Sequence, residues 1–236
     1  MEKFVPDIQE QFRHNGFPRF VKGQLQELML QQDGPPRLST TDRFEFLNRD
    51  NSLGIILSPS SLIIQTTTYS DFETFENSVG VALKTINSVV NIDLVERIGL
   101  RYIDVVRLKD KESFADYLKP GLLGIETKDL GIKNWISRSE SLGVTPLGSL
   151  VVRWSQSENS VPLNVIPSSM SVSIQLQPKE IATLLDFDHF IEGSLDFDVD
   201  TIVSKLGELH DGIDQAFRNS VTSKALELWG NEEKNA

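Results

Sequence analysis

The chain contains no cysteine. That excludes disulfides, thiolate metal ligands and a cysteine nucleophile, and it suits a reducing compartment such as the cytoplasm. Histidine is scarce: His14, His189 and His210 stand far apart. None has the His-x-x-x-His or His-Glu-x-x-His spacing that brings two imidazoles onto one helix face. Basic residues are outnumbered, 23 Lys and Arg against 34 Asp and Glu, giving a formal net charge of −11. Such a surface repels phosphate backbones, which argues against nucleic acid and for a basic protein or peptide partner, although acidity also serves solubility. No apolar run approaches the ~20 residues that cross a bilayer. The start, Met1-Glu2-Lys3-Phe4-Val5-Pro6, lacks the basic-then-apolar order of a secretory signal. Also missing are a Gly-x-Ser-x-Gly elbow and any Walker or dinucleotide fingerprint, and Gly121, Gly124 and Gly131 are too widely spaced to cradle a phosphate. These gaps argue against a thiol, metal or nucleotide-hydrolysing enzyme, and no cofactor is expected.

What is present is ordinary globular material: 236 residues, 39% hydrophobic and 24% charged. A core of normal size is affordable at that length. Residues 1–32 read as two helical pieces split at Asn15-Gly16-Phe17-Pro18, the second carrying Val21, Leu25, Leu28 and Leu30. Arg43 to Leu47 alternates as a strand does. Leu53–Leu57 and Leu62–Tyr69 make a hairpin across Ser58-Pro59-Ser60-Ser61. A long helix is expected from Ser70, with Ser70 and Glu73 as a capping box, and Phe72, Phe75, Val79, Ala82, Leu83, Ile86 and Val90 as its buried stripe. After the next strand, a connector over 108–133 holds a short helix near Ser113–Tyr117 and a break at Pro120-Gly121. Trp135–Leu142 and Leu150–Gln156 form a second hairpin. Met170–Gln177 and Ile181–Ile191 follow as strands. A second long helix, Val199–Asn219, is capped by Asp198 and buries Ile202, Leu206, Leu209, Ile213 and Phe217.

Strands in runs with two long helices between them predict an α+β fold. The expectation is one compact domain over 1–230: a first half near 39–107, the connector, a second half over 134–230, and a polar tail at 231–236. An extended antiparallel sheet would carry both long helices on one face, the halves loosely duplicating each other.

Val95 to Arg107, Val-Glu-Arg-Ile-Gly-Leu-Arg-Tyr-Ile-Asp-Val-Val-Arg, reads as the central long strand. One face carries Leu94, Glu96, Ile98, Leu100, Tyr102, Asp104 and Val106, and its apolar middle must lie against helices. On the other, Arg97 and Arg101 flank Gly99. This trio is the candidate binding site, because forked guanidinium donors suit a carboxylate or phosphate. The competing reading pairs each arginine with Asp or Glu on adjacent strands, the commoner outcome in so acidic a chain. Glu96, Tyr102 and Asp104 face the other way and cannot share that pocket. Asp186 and Asp188 share a strand face as a hard cation would need, within the series Asp186, Asp188, Glu192, Asp196, Asp198 and Asp200. The spacing lacks the glycine and terminal glutamate of a calcium loop, so no metal is assigned. Trp135, Trp154 and Trp229 are expected to pack, with only Trp229 a candidate for exposed contact.

Residues Val95 to Asp104 resemble the signature strand of a sporadically distributed family of uncharacterised bacterial proteins. Leu62–Tyr69 running into Asp71-Phe72-Glu73-Thr74-Phe75 is similar to the same family, as are Leu209-His210-Asp211, Ala216-Phe217-Arg218 and Val221-Thr222. The likeness spans roughly residues 6 to 230. No activity, cofactor or catalytic residue accompanies the resemblance, so no site is carried over. It implies a further strand ahead of the segment matching Pro6–Glu10, so this chain reads as a shortened form that leaves one sheet edge open. Sporadic distribution suits genes that travel with accessory or defence-type operons. The expected role is therefore a cytoplasmic, non-enzymatic interaction or adaptor protein that binds a protein partner or itself. The alternative is a small anionic-ligand-binding protein, or an unfamiliar enzyme, using Arg97 and Arg101.

Overall fold

The computed structural model describes residues 1–29, 37–109, 111–124, 131, 136–158, 168–172 and 180–232. It is α+β with antiparallel sheets, as expected. Among the described residues, however, the strands are shared between two four-stranded sheets and do not form one extended sheet. The chain divides into two compact units, Met1–Asp93 with Asn164–Ser173 and Asp198–Val203, and Leu94–Leu163 with Ile174–Phe197 and Ser204–Ala236.

In the first unit, helix α1 (Val5–His14) precedes strands β1 (Arg19–Met29), β2 (Arg37–Leu47), β3 (Leu53–Leu57) and β4 (Leu62–Thr66), then helix α2 (Phe72–Val90). The four strands form a simple meander in chain order. The expected helix over Val21 to Gln32 is not formed where it is described: 19–29 is strand β1, paired along its length with β2. Phe20 supplies the reason. Opposite Phe46, it packs with Phe44 and Phe46, at ring centroids 6.3 and 5.4 Å apart. Val21 and Leu25, members of the supposed helical stripe, stay 40% and 42% exposed. Long-range pairing outweighs a weak local periodicity. The β3–β4 hairpin forms where expected, its turn closed by Ser58 N–H donating to the Ser61 carbonyl at 2.9 Å.

Helix α2 begins one residue later than Ser70 implies. Its cap is Asp71, whose Oδ1 accepts from Thr74 N–H at 2.7 Å, while the Ser70 hydroxyl donates to Asp71. These hydrogen bonds hold the Asp71 carboxyl below its usual range. The α2 stripe holds: Val79, Ala82, Leu83 and Ile86 are buried. Ala82 and Ile86 join Val5, Ile8 and Phe12 of α1 against Phe44, Phe46, Ile55 and Leu57, so both helices cover one face of this sheet. On the other face Met170 lies over Gly54, where a Cβ would come within 3.2 Å of its sulfur. Ser169 donates to Glu45 beside it. The expected strand Met170–Gln177 falls mostly outside the described residues, and its described beginning, 170–172, is not strand.

In the second unit the strands are β5 (Leu94–Arg107), β6 (Ile136–Val144), β7 (Ser149–Glu158) and β8 (Ile181–Asp196), in sheet order β5-β8-β7-β6. The short helix α3 (Phe114–Tyr117) carries a complete capping box between Ser113 and Asp116; the Lys224 ammonium, with the Ser113 hydrogen bonds, lowers the Asp116 carboxyl to about 2. Helix α4 (Val199–Ser220) starts as expected, with Asp198 accepting from Thr201 N–H at 2.8 Å. Helix α5 (Ser223–Glu232) follows α4 and is not among the helices the sequence predicts. Beyond it, the tail at 233–236 lies outside the described residues.

Helix α4 covers one face of this sheet. Phe187 meets Phe217 with centroids 6.0 Å apart, and Tyr102 meets His210 at 5.9 Å. His189 is buried under the same helix. Its Nδ1 faces the Leu209 carbonyl at 3.2 Å and its Nε2 faces the Thr145 hydroxyl at 3.0 Å. A carbonyl only accepts, so Nδ1 carries the proton. Gly212 makes room for the ring: a Cβ there would stand 2.6 Å from His189 Cε1. Trp229 is not an exposed contact residue. It stacks on Tyr117 at 5.6 Å and lies against Phe217 at 5.9 Å.

Candidate functional site

Cross-strand partners share a face, so the register across β5, β8, β7 and β6 places Ile103, Asp186, Arg153 and Glu140 in one row. The neighbouring row holds Arg101, Asp188, Val151 and Leu142. This is the face opposite α4. Arg97, Arg101, Arg153, Asp186, Asp188 and Glu140 on it are partnered by geometry. Arg101 Nε and Nη2 donate to the two oxygens of Asp186, both at 2.7 Å, and this forked contact raises the arginine's pKa. Arg153 Nη1 stands 3.5 Å from the same carboxylate, and its Nε donates to Glu140 Oε2 at 2.6 Å. Asp186 is only 3% exposed. A carboxylate that deep needs cations around it, and two arginines supply them.

Arg97, Gly99 and Arg101 therefore lie on one face, as the strand alternation requires, but they do not form an open pocket. Arg97 lies over the Phe190 ring, with its Cζ 4.3 Å from the ring centroid and Nη2 3.6 Å from Asp188. The space above Gly99 is filled by Arg97 itself. A Cβ at 99 would meet Arg97 Nη1 at 3.4 Å and Phe190 Cβ at 3.2 Å. Asp186 and Asp188 share a face, and both turn to arginines. Among the described residues no set of three or more His, Asp or Glu side chains is placed to hold a metal.

On the α4 side, Asp104 sits opposite Leu185. No hydrogen bond or ion pair reaches it among the described residues, and burial pushes its carboxyl up to about 6. In the same row, beyond Leu185, lies Trp154, whose buried Nε1 has no partner among the described residues.

Among the described residues the least covered strand is β6. It is an outer strand of its sheet, bonded on one side to β7. All but Ser137 of its nine residues are exposed, on both faces. Thr145 N–H donates to the Gly148 carbonyl at 2.7 Å where the β6–β7 hairpin closes. Gly148 is required there because a Cβ would collide with the Phe190 carbonyl. Strand backbone groups alternate in direction, so that bond fixes the rest. Ser137, Ser139, Ser141 and Gly143 turn their amides toward β7, while Ile136, Arg138, Glu140, Leu142 and Val144 turn theirs outward. Among the described residues nothing pairs with that outer edge. Sequence alone does not single out this edge. Its signal was in plain view as the near-mirror order Ile-Ser-Arg-Ser-Glu-Ser-Leu over 136–142, which means nothing until the strand is known to be uncovered.

No family model, curated protein or solved structure matches the chain. Among the described residues no helix is long and apolar enough to cross a membrane.

Proposed function

We propose that this chain is a cytoplasmic, non-enzymatic interaction protein that binds a protein partner by strand addition along β6. The observation that carries this reading is the outer edge of β6, a row of outward backbone donors and acceptors exposed on both faces. An extended segment laid against such an edge gains main-chain hydrogen bonds, and alternate side chains supply selectivity. The net charge of −11 disfavours nucleic acid. Resemblance to a sporadically distributed bacterial family fits a component of an accessory or defence-type operon. Anion binding at Arg97 and Arg101 has weaker support, because Asp186 already occupies the fork of Arg101.

The test is affinity capture from the native host with mass spectrometry, comparing the parent with Arg138→Pro at low and high salt. Proline at 138 removes an outward amide and leaves the β7 pairing intact. A partner retained by the parent, lost by the variant and weakened by salt supports the reading. A partner held equally by both proteins would place the interface elsewhere.

A further inference from the structure

We propose that the occupant of the β6 edge is a second copy of this chain, paired antiparallel about a twofold axis at Ser139. This rests on the strand-addition reading and names the partner. Only registers that set outward residues against outward residues can form the ladder. Centring on Arg138 or Glu140 sets like charges against each other, and centring on Ser137 or Ser141 sets a charge against Ile136 or Leu142. Both outcomes are unfavourable.

Centring on Ser139 resolves every position. Arg138 meets the partner's Glu140, and Glu140 meets the partner's Arg138. Ile136, 56% exposed, meets the partner's Leu142, and Leu142 itself is 69% exposed. Ser137 falls opposite the partner's Ser141 on the other face, where small side chains allow close approach. Arg138 has no ion pair of its own among the described residues. Glu140 gives Oε2 to Arg153, and its Oε1 takes no bond among those residues. One unpaired cation and one spare carboxylate oxygen thus meet twice across the axis. The contact is isologous, so it closes on itself as a dimer and joins the two second-unit sheets into one continuous sheet. The same charges reject other registers, so the edge is selective.

Sedimentation of the full chain over a concentration series is expected to give a species of twice 26.5 kDa. R138E and E140R are each expected to weaken dimerisation at least about tenfold. An equimolar mixture of the two is expected to restore the dimer, because it sets opposite charges against each other again at both positions. E140R also loses the Arg153 contact, so circular dichroism is recorded for both variants; R138E breaks no described ion pair and carries the decision if E140R misfolds. A parent that stays monomeric at every concentration, an R138E protein that dimerises like the parent, or a folded mixture that fails to reassociate each overturns the proposal. A monomeric parent that still loses its captured partner on Arg138→Pro overturns the second copy alone and leaves strand addition standing.

Discussion

Replacing Asp104 with asparagine removes a charge that the fold holds unfavourably. In the unfolded chain the carboxyl titrates near its ordinary 3.8, and in the folded chain burial moves it to about 6. The folded state therefore binds the proton more tightly, so stability is greatest at low pH and declines as pH rises between these two values. The displacement of roughly two pKa units, at 1.36 kcal/mol each, amounts to about 3 kcal/mol once the group is fully ionised in both states. At pH 4 most of that cost is absent, roughly 0.5 kcal/mol, because the carboxyl is protonated when folded and half protonated when unfolded. Asp104→Asn keeps the shape and discards the charge. The assay is urea denaturation followed by tryptophan fluorescence, which reports on the second unit, since Trp154 and Trp229 lie there. Dilute protein is needed near the sequence pI of 4.8. The variant should match the parent near pH 4 and exceed it by about 2 to 3 kcal/mol at pH 8, with the gap opening between about pH 4 and 6. A gap independent of pH would show that folding does not shift the Asp104 carboxyl, and a variant weaker than the parent at pH 8 would show that the carboxylate has a favourable partner; either result refutes the reasoning.

The two arginines of β5 should differ in stability measurements. Arg101→Met strands the buried Asp186 carboxylate and should cost about 2 to 3 kcal/mol, while Arg97→Met, which removes a looser and more exposed contact, should cost under about 1 kcal/mol. Equal costs in chemical denaturation would contradict the assigned pairing. Gly212→Ala usually helps a helix by about 1 kcal/mol, but here it should destabilise, because the added carbon collides with the His189 ring. A rise in melting temperature on that substitution would show that the ring has somewhere else to go.

Much of this protein follows from the sequence alone. The α+β class, the long strand read at 95–107, the two hairpins, and helix α4 with its Asp198 cap all depend on neighbours within a turn or two. Local periodicity and turn chemistry specify such features directly. The same holds for the expectation that arginines in an acidic chain find carboxylates, which Arg101 and Asp186 meet. Tertiary structure decided what depends on partners far away in sequence. Residues 19–29 carry a passable helical stripe, and only the aromatic row built by Phe20, Phe44 and Phe46 turns them into a strand. The division of strands between two sheets depends on pairings such as β5 with β8, some eighty residues apart, which no local pattern encodes. The same separation hides the candidate site. Ile136, Arg138, Glu140 and Leu142 read as an ordinary polar-apolar alternation. They become an open edge only because β7 takes one side of their strand and α4 lies over β5 and β8, leaving β6 exposed.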